Sequence, residues 1–175
     1  APGTVNLRFI DLDRVVLGGV VPTSGALRLE APPAMAAEYF TERRELGVLN
    51  VGGDGTITVD GRAHAMATRD CLYVGRGSRD VRFESRNASK PARFYLVSYP
   101  AHATFPTSHV ARAAADVTEL GTAERANRRR LYKSIHPGGI QSAQLVMGMT
   151  ELLEGNVWNT MPPHTHERRT EVYLY

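Results

Sequence analysis

Residues 56–61, Thr-Ile-Thr-Val-Asp-Gly, decide the fold class. Ile57 and Val59 alternate with Thr56 and Thr58, the period of two that turns one face of a strand to a core and the other outward. The run closes on Asp60-Gly61, a pair that readily adopts the left-handed backbone of a two-residue hairpin turn. Outward from this hairpin the pattern repeats. Cys71-Leu-Tyr-Val74 ends at a Gly75-Arg-Gly77 corner, Asp80-Val-Arg-Phe83 alternates again, and Arg93-Phe-Tyr-Leu-Val-Ser-Tyr99 closes on Pro100. Short strands at this regular spacing predict an all-β sandwich or barrel rather than a parallel sheet with helices. Residues 111–130, rich in Ala, Glu and Arg, are predicted to hold one short helix or an irregular connector. A second strand-rich segment starts near His136, with strands expected over 144–149, 157–160 and the terminal stretch. Gly52-Gly53-Asp54-Gly55 precedes a strand, not a helix, and lacks the lysine of a phosphate loop, so it reads as a hairpin turn.

The totals are those of a globular protein. The 175 residues are 42% hydrophobic and 22% charged, enough to bury a substantial core. The balance is mildly basic, with 21 Lys+Arg against 18 Asp+Glu. Even the densest run, Arg128-Arg129-Arg130, lacks the interleaved aromatics of a nucleic-acid surface, so it is expected to be a solvated face. No apolar stretch approaches the length of a membrane span, and neither nucleic acid nor membrane is expected as a partner. A single cysteine, Cys71, cannot form an internal disulfide; it reads as a small buried hydrophobe in a cytoplasmic protein.

The chemistry concentrates at the end, in His164-Thr-His-Glu-Arg-Arg-Thr-Glu-Val-Tyr-Leu-Tyr175. Residues two apart on extended backbone share a side, so His164 and His166 can address one point. Glu171 falls five residues after His166, so 167–170 must turn or bulge for Glu171 to open a neighbouring strand that points inward. Glu171, Tyr173 and Tyr175 would then share one face. Two imidazoles and a carboxylate form a nitrogen/oxygen set suited to Zn, Fe, Mn or Ni. The order is not His-Glu-x-x-His, which excludes a zincin helix.

An earlier segment matches this one without a gap. Tyr39-Phe-Thr-Glu-Arg-Arg-Glu-Leu-Gly-Val-Leu-Asn50 shares the Glu-Arg-Arg core but places Tyr39, Thr41 and Leu46 where His164, His166 and Glu171 stand. Two related units follow, the first without a metal and the second with one. The recurrence of Arg-Arg at 43–44 favours a rim or subunit-contact role for such pairs.

His-x-His-x4-Glu ahead of an inward strand resembles the first motif of the cupin barrels. Gly75-Arg-Gly-Ser-Arg-Asp80 resembles their second motif, with Asp80 in the histidine slot. The resemblance narrows on Val16-Leu-Gly-Gly-Val, Glu42-Arg-Arg-Glu-Leu-Gly-Val-Leu-Asn-Val-Gly-Gly, Thr56-Ile-Thr-Val-Asp-Gly, Pro100-Ala-His-Ala-Thr-Phe-Pro-Thr and Trp158-Asn-Thr-Met-Pro. Together these are similar to the 5-keto-4-deoxyuronate isomerases of pectin breakdown (4-deoxy-L-threo-5-hexosulose-uronate ketol-isomerases).

That resemblance implies an all-β double cupin: a metal-free first barrel over 1–105, a connector over 106–135, and the start of a metal-binding second barrel over 136–175. It implies one Zn2+ per subunit held by His164, His166, Glu171 and a fourth ligand, a histidine, expected beyond Tyr175. Family members continue past this point, so the present chain is expected to lack both ends and to be inactive alone. The implied reaction converts 5-dehydro-4-deoxy-D-glucuronate to 3-deoxy-D-glycero-2,5-hexodiulosonate in a homo-oligomer, a hexamer by resemblance. Arg168, Arg169 and Tyr173 are candidate contacts for the small-molecule uronate substrate, and the general base is either an inward tyrosine or a residue beyond 175. Other readings are an Fe- or Mn-dependent oxygenase and a non-catalytic sugar-binding bicupin. His64 is expected at the surface, His102, His109 and His136 outside the site, and Trp158 and Met161 in the core.

Overall fold

The computed structural model describes residues 1–159 and 164–175. Numbered in chain order, thirteen strands among these residues form three antiparallel sheets. A six-stranded sheet runs β1 (Val5–Ile10), β2 (Val15–Val20), β9 (Phe94–Pro100), β4 (Arg44–Asn50), β7 (Cys71–Val74), β10 (Ser108–Val110). A four-stranded sheet runs β3 (Leu27–Arg28), β8 (Val81–Ser85), β5 (Gly55–Val59), β6 (Arg62–Met66). A three-stranded sheet joins β11 (Asp116–Leu120), β12 (Arg129–Ile135) and β13 (Met147–Leu152). Helical structure among the described residues is limited to three 3₁₀ turns, Leu12–Arg14, Pro33–Met35 and Arg112–Ala114. The all-β expectation holds.

The 56–61 hairpin forms as its sequence requires. Val59 pairs with Arg62, and Asp60 and Gly61 both take left-handed backbone, φ 48° and 83°. Ile57 and Val59 are buried while Thr56 and Thr58 are only half so.

A core lies on each face of the six-stranded sheet. On one face Val16, Val20, Leu46, Val48, Leu72, Val74, Phe94 and Leu96 meet Ile57, Val59, Val81 and Phe83 of the four-stranded sheet. On the other, Val15, Leu49, Cys71, Tyr73 and Val97 are covered by Ile135, Leu145 and Met147. This double burial explains why Cys71-Leu-Tyr-Val74 is apolar without a break and why every residue of β4 is buried. The cover approaches closely: a Cβ on Gly47 would sit 2.7 Å from Leu145 Cδ2 and 3.1 Å from Met147 Sδ.

Three local expectations are corrected. Residues 51–54 are not a hairpin turn, because β4 and β5 belong to different sheets. They carry the chain from one sheet to the other, pinned by buried Asn50, whose Nδ2 donates to the Gly53 carbonyl at 2.8 Å and whose Oδ1 accepts from Gly52 and Arg93 N–H. Residues 111–130 hold no α-helix beyond the single 3₁₀ turn. Charges that suggested a helical surface instead flank the β11–β12 ladder, where Arg130 and Arg128 pair with Glu119 and Lys133 pairs with Asp116. Residues 157–159 and 164–175 form no strand, so Glu171 does not open one and the likeness to β4 does not extend to strand pairing. An extended segment without a ladder neighbour has no strand to join. Thr160 and Met161, expected in a strand and in the core, lie outside the described residues. Trp158 is half-buried.

Candidate metal centre

The terminal segment brings its three donor-bearing side chains together. One atom from each of His164, His166 and Glu171 lies within 4.8 Å of the others, and no second group of three such residues occurs among the described residues. The His164 and His166 rings stand edge to face with centroids 4.9 Å apart. His166 Nε2 lies 2.7 Å from Glu171 Oε2, so the two sites are already in hydrogen-bond contact. The spacing of five is accommodated by a bend at 167–168, as the sequence demanded, although no strand follows.

Tyr173 orients the carboxylate. Its hydroxyl donates to Glu171 Oε1 at 2.7 Å, leaving Oε2 toward His166. That bond, aided by His166 and Arg169 and opposed by partial burial, holds the Glu171 carboxyl below the usual range. A depressed value keeps the group ionised and available as a ligand. Tyr173 also stacks on Tyr175, centroids 6.0 Å apart, so 171, 173 and 175 do share a side. Thr170 donates to the Asp13 carboxylate, which ties the segment to the β1–β2 turn. Arg168, within the bend, and Arg169, just after it, are both exposed. Two imidazole nitrogens and one carboxylate oxygen, converging and partly shielded, fit a divalent borderline cation.

The remaining histidines stand apart from this group. His109 contacts Asp70 at 3.2 Å, His136 accepts from the Gly138 N–H at 3.2 Å, and His102 is exposed. His64 is not the surface residue expected: its Nε2 is shielded from water without a partner, and burial lowers its pKa, with Arg62 and His109 adding to the effect.

Three polar features escaped sequence reasoning. Glu45, fully buried in β4, accepts from the N–H groups of Ala143, Gln144 and Leu145 and from the Tyr73 hydroxyl, all at 2.7–2.8 Å. Arg69 and Arg112 both reach Glu151, at 2.6 and 2.9 Å, and Tyr132 joins them at 3.0 Å. Arg44 is not a rim residue but is only 8% exposed. The one available signal was a charged pair, Arg44-Glu45, opening an otherwise apolar strand.

Comparison with known proteins gives a consistent result. A family model described as KduI/IolB matches residues 10–175. The chain is 53% identical over 172 residues to a protein of Formosa agariphila and 52% identical over 178 residues to one of Kineococcus radiotolerans, each named 4-deoxy-L-threo-5-hexosulose-uronate ketol-isomerase. These alignments cover 98% and 100% of this chain but 61% and 64% of the relatives, so the chain spans about three fifths of their length. Among known structures, it resembles a putative glyoxylate-induced protein from Pseudomonas aeruginosa (TM-score 0.51, 11% identity, 77% of this chain and 50% of that one). It also resembles an IolB-like protein from Salmonella typhimurium (TM-score 0.51, 12% identity, 68% and 43%). At such identities the likeness concerns the fold alone.

Proposed function

This chain belongs to the KduI/IolB family, and from that premise we propose that it is part of a metal-dependent aldose–ketose isomerase. Its substrate is 5-dehydro-4-deoxy-D-glucuronate and its product 3-deoxy-D-glycero-2,5-hexodiulosonate. The observation that carries the reading is the convergence of His164, His166 and Glu171 in a chain half identical to named ketol-isomerases. We read the six- and four-stranded sheets as the first, metal-free cupin barrel, over 1–105, with β10 (Ser108–Val110) at the start of the connector adding the last strand of the larger sheet. Residues 106–135 connect it to a metal-bearing barrel that opens at 136 and includes the terminal segment. A fourth ligand, a histidine, comes from sequence beyond Tyr175.

His164, His166 and Glu171 hold the ion, zinc in this reading. When bound, a divalent cation supplies electrostatic stabilisation for negative charge developing on neighbouring substrate oxygens. The chain's own groups do the rest. Tyr173 fixes the Glu171 rotamer, and its hydroxyl is a proton-bearing group in direct contact with the cluster. Arg168 and Arg169 offer planar forks suited to the uronate carboxylate. The isomerisation moves a proton between adjacent carbons with no external redox partner, in a cytoplasmic homo-oligomer, a hexamer by family resemblance.

The test is made on the complete protein. Metal analysis should return zinc, and NMR should show conversion of the aldose form of the substrate to the ketose. His166→Ala should lose both metal and turnover, and retention of metal would overturn the ligand assignment. Stoichiometric iron with oxygen uptake would instead support an oxygenase, and intact metal without turnover a binding role.

A further inference from the structure

A cleft of about 300 Å³ lies where the end of β1 and the turn after it meet the start of β4, and none of residues 164–175 lines it. Its walls combine two chemistries. Phe9, Ile10, Met35 and Phe40 supply apolar surface, and Phe9 and Ile10 are 47% and 38% exposed on a strand at the sheet edge. Arg14 and Arg44 supply two guanidinium groups.

Arg44 is buried, yet its partners are all neutral: Nε donates to Ser98 Oγ at 3.1 Å, and Nη2 to the carbonyls of Ser98 and Arg14 at 2.7 and 2.6 Å. No carboxylate lies within ion-pair distance of it among the described residues, and Nη1 makes none of these bonds. A buried cation without a counter-ion is costly. Burial, reinforced by the nearby Arg14 charge, brings the Arg44 pKa down to about 10. Arg14 is likewise in no ion pair among the described residues, whereas Arg43, also at the cleft, is committed to Glu42. Asp11 contributes one opposing charge at the rim. Asp13 and Arg14 both hold left-handed backbone, φ 51° and 52°, a strained conformation that clusters at ligand sites. The bond from Arg44 Nη2 to the Arg14 carbonyl ties β4 to that turn.

We infer that this cleft binds a small organic carboxylate with an apolar body, at a site separate from the histidine–glutamate cluster. The carboxylate takes the guanidinium donors that the protein leaves unmatched, and the apolar body covers Phe9, Ile10 and Met35. Both halves are required: inorganic phosphate leaves the apolar wall wet, and a neutral alcohol leaves the cations unpaired.

Isothermal titration of the complete protein with hexanoate, hexanol and inorganic phosphate separates these terms. Hexanoate should bind at least tenfold more tightly than either other probe, with loss of affinity as salt rises, and should slow amide exchange over residues 9–14. Arg14→Gln, at an exposed position whose side chain makes no hydrogen bond or ion pair among the described residues, should weaken hexanoate about tenfold while leaving metal content unchanged. Equal binding of hexanol, indifference to Arg14→Gln, or exchange protection confined to 164–175 would overturn the proposal. So would a change in particle mass on Phe9→Ser with no hexanoate response, since the cleft would then be a contact between copies.

Discussion

Glu45→Gln should destabilise the protein by about 2–4 kcal/mol, although it preserves the side chain's shape. Four donors converge on the Glu45 carboxylate: Ala143 N–H and Tyr73 hydroxyl on Oε2, Gln144 and Leu145 N–H on Oε1. An amide has one acceptor oxygen, so its NH2 must face donors on one side. The Tyr73 hydroxyl can rotate to accept, but at least one backbone N–H is left buried and unpaired, at roughly 1–3 kcal/mol. The bonds that survive lose their charge assistance, about 1 kcal/mol more. Tyr73→Phe removes a single bond and should cost about 1–2 kcal/mol. In a double-mutant cycle the two should couple by more than about 0.5 kcal/mol, because they share one oxygen. Urea unfolding gives the stabilities, and amide exchange at 143–145 reports the local loss. A Glu45→Gln midpoint within 0.5 kcal/mol of the parent, or unchanged exchange at 143–145, would refute the reasoning.

Two further outcomes follow from burial and close packing. Cys71 is 1% exposed and its thiol is pushed up to about 12, chiefly by burial. It should resist Ellman's reagent until the protein unfolds. Because its folded value exceeds the unfolded one, its contribution is complete below about pH 9 and is lost as pH rises toward 12. Tyr73, raised by burial and by Glu45, acts in the same direction. Stability should therefore fall on the alkaline side, less steeply in Cys71→Val, and a flat profile from pH 8 to 10.5 would count against both assignments. Gly75→Ala should cost about 2 kcal/mol or more in thermal or urea unfolding, since a Cβ there meets the Phe105 carbonyl oxygen at 2.0 Å, and backbone cannot move aside as a side chain can. An unchanged midpoint would mean that the 105–107 segment is free to shift.

Local signals carried the first part of the chain. Asp60-Gly61 encodes its own turn, and β5, β7, β8 and β9 fall within a residue or two of the expected runs, because each follows from alternation or from complete burial. Residues 111–130 were misread because composition is a weak guide when pairing decides. Asp116–Leu120 has few apolar residues to mark a strand, and its conformation comes from the β12 ladder alongside it. The crossing at 51–54 was hidden for a related reason: a glycine-rich turn looks the same whether the next strand returns to its own sheet or enters another. At the candidate centre, spacing alone foretold which donors converge. It gave no hint of Tyr173 acting on Glu171, nor of Glu45, whose partners lie about a hundred residues away. Arg44 was lost to its likeness with Arg169, since a shared Glu-Arg-Arg says nothing of burial.

A sheet with a core on each side imposes an order on biosynthesis. When β9 leaves the ribosome the first face can close, but Val15, Leu49, Cys71, Tyr73 and Val97 remain wet until residues 135–149 arrive. Until then the Glu45 carboxylate is open to water, with three of its four donors still unsynthesised. Ile135, Leu145 and Met147, each contributing roughly 1.5–3 kcal/mol by burial, thus act as a built-in chaperone for strands made long before them. A nascent chain stalled between those two points would expose an adhesive surface with a thiol at its centre.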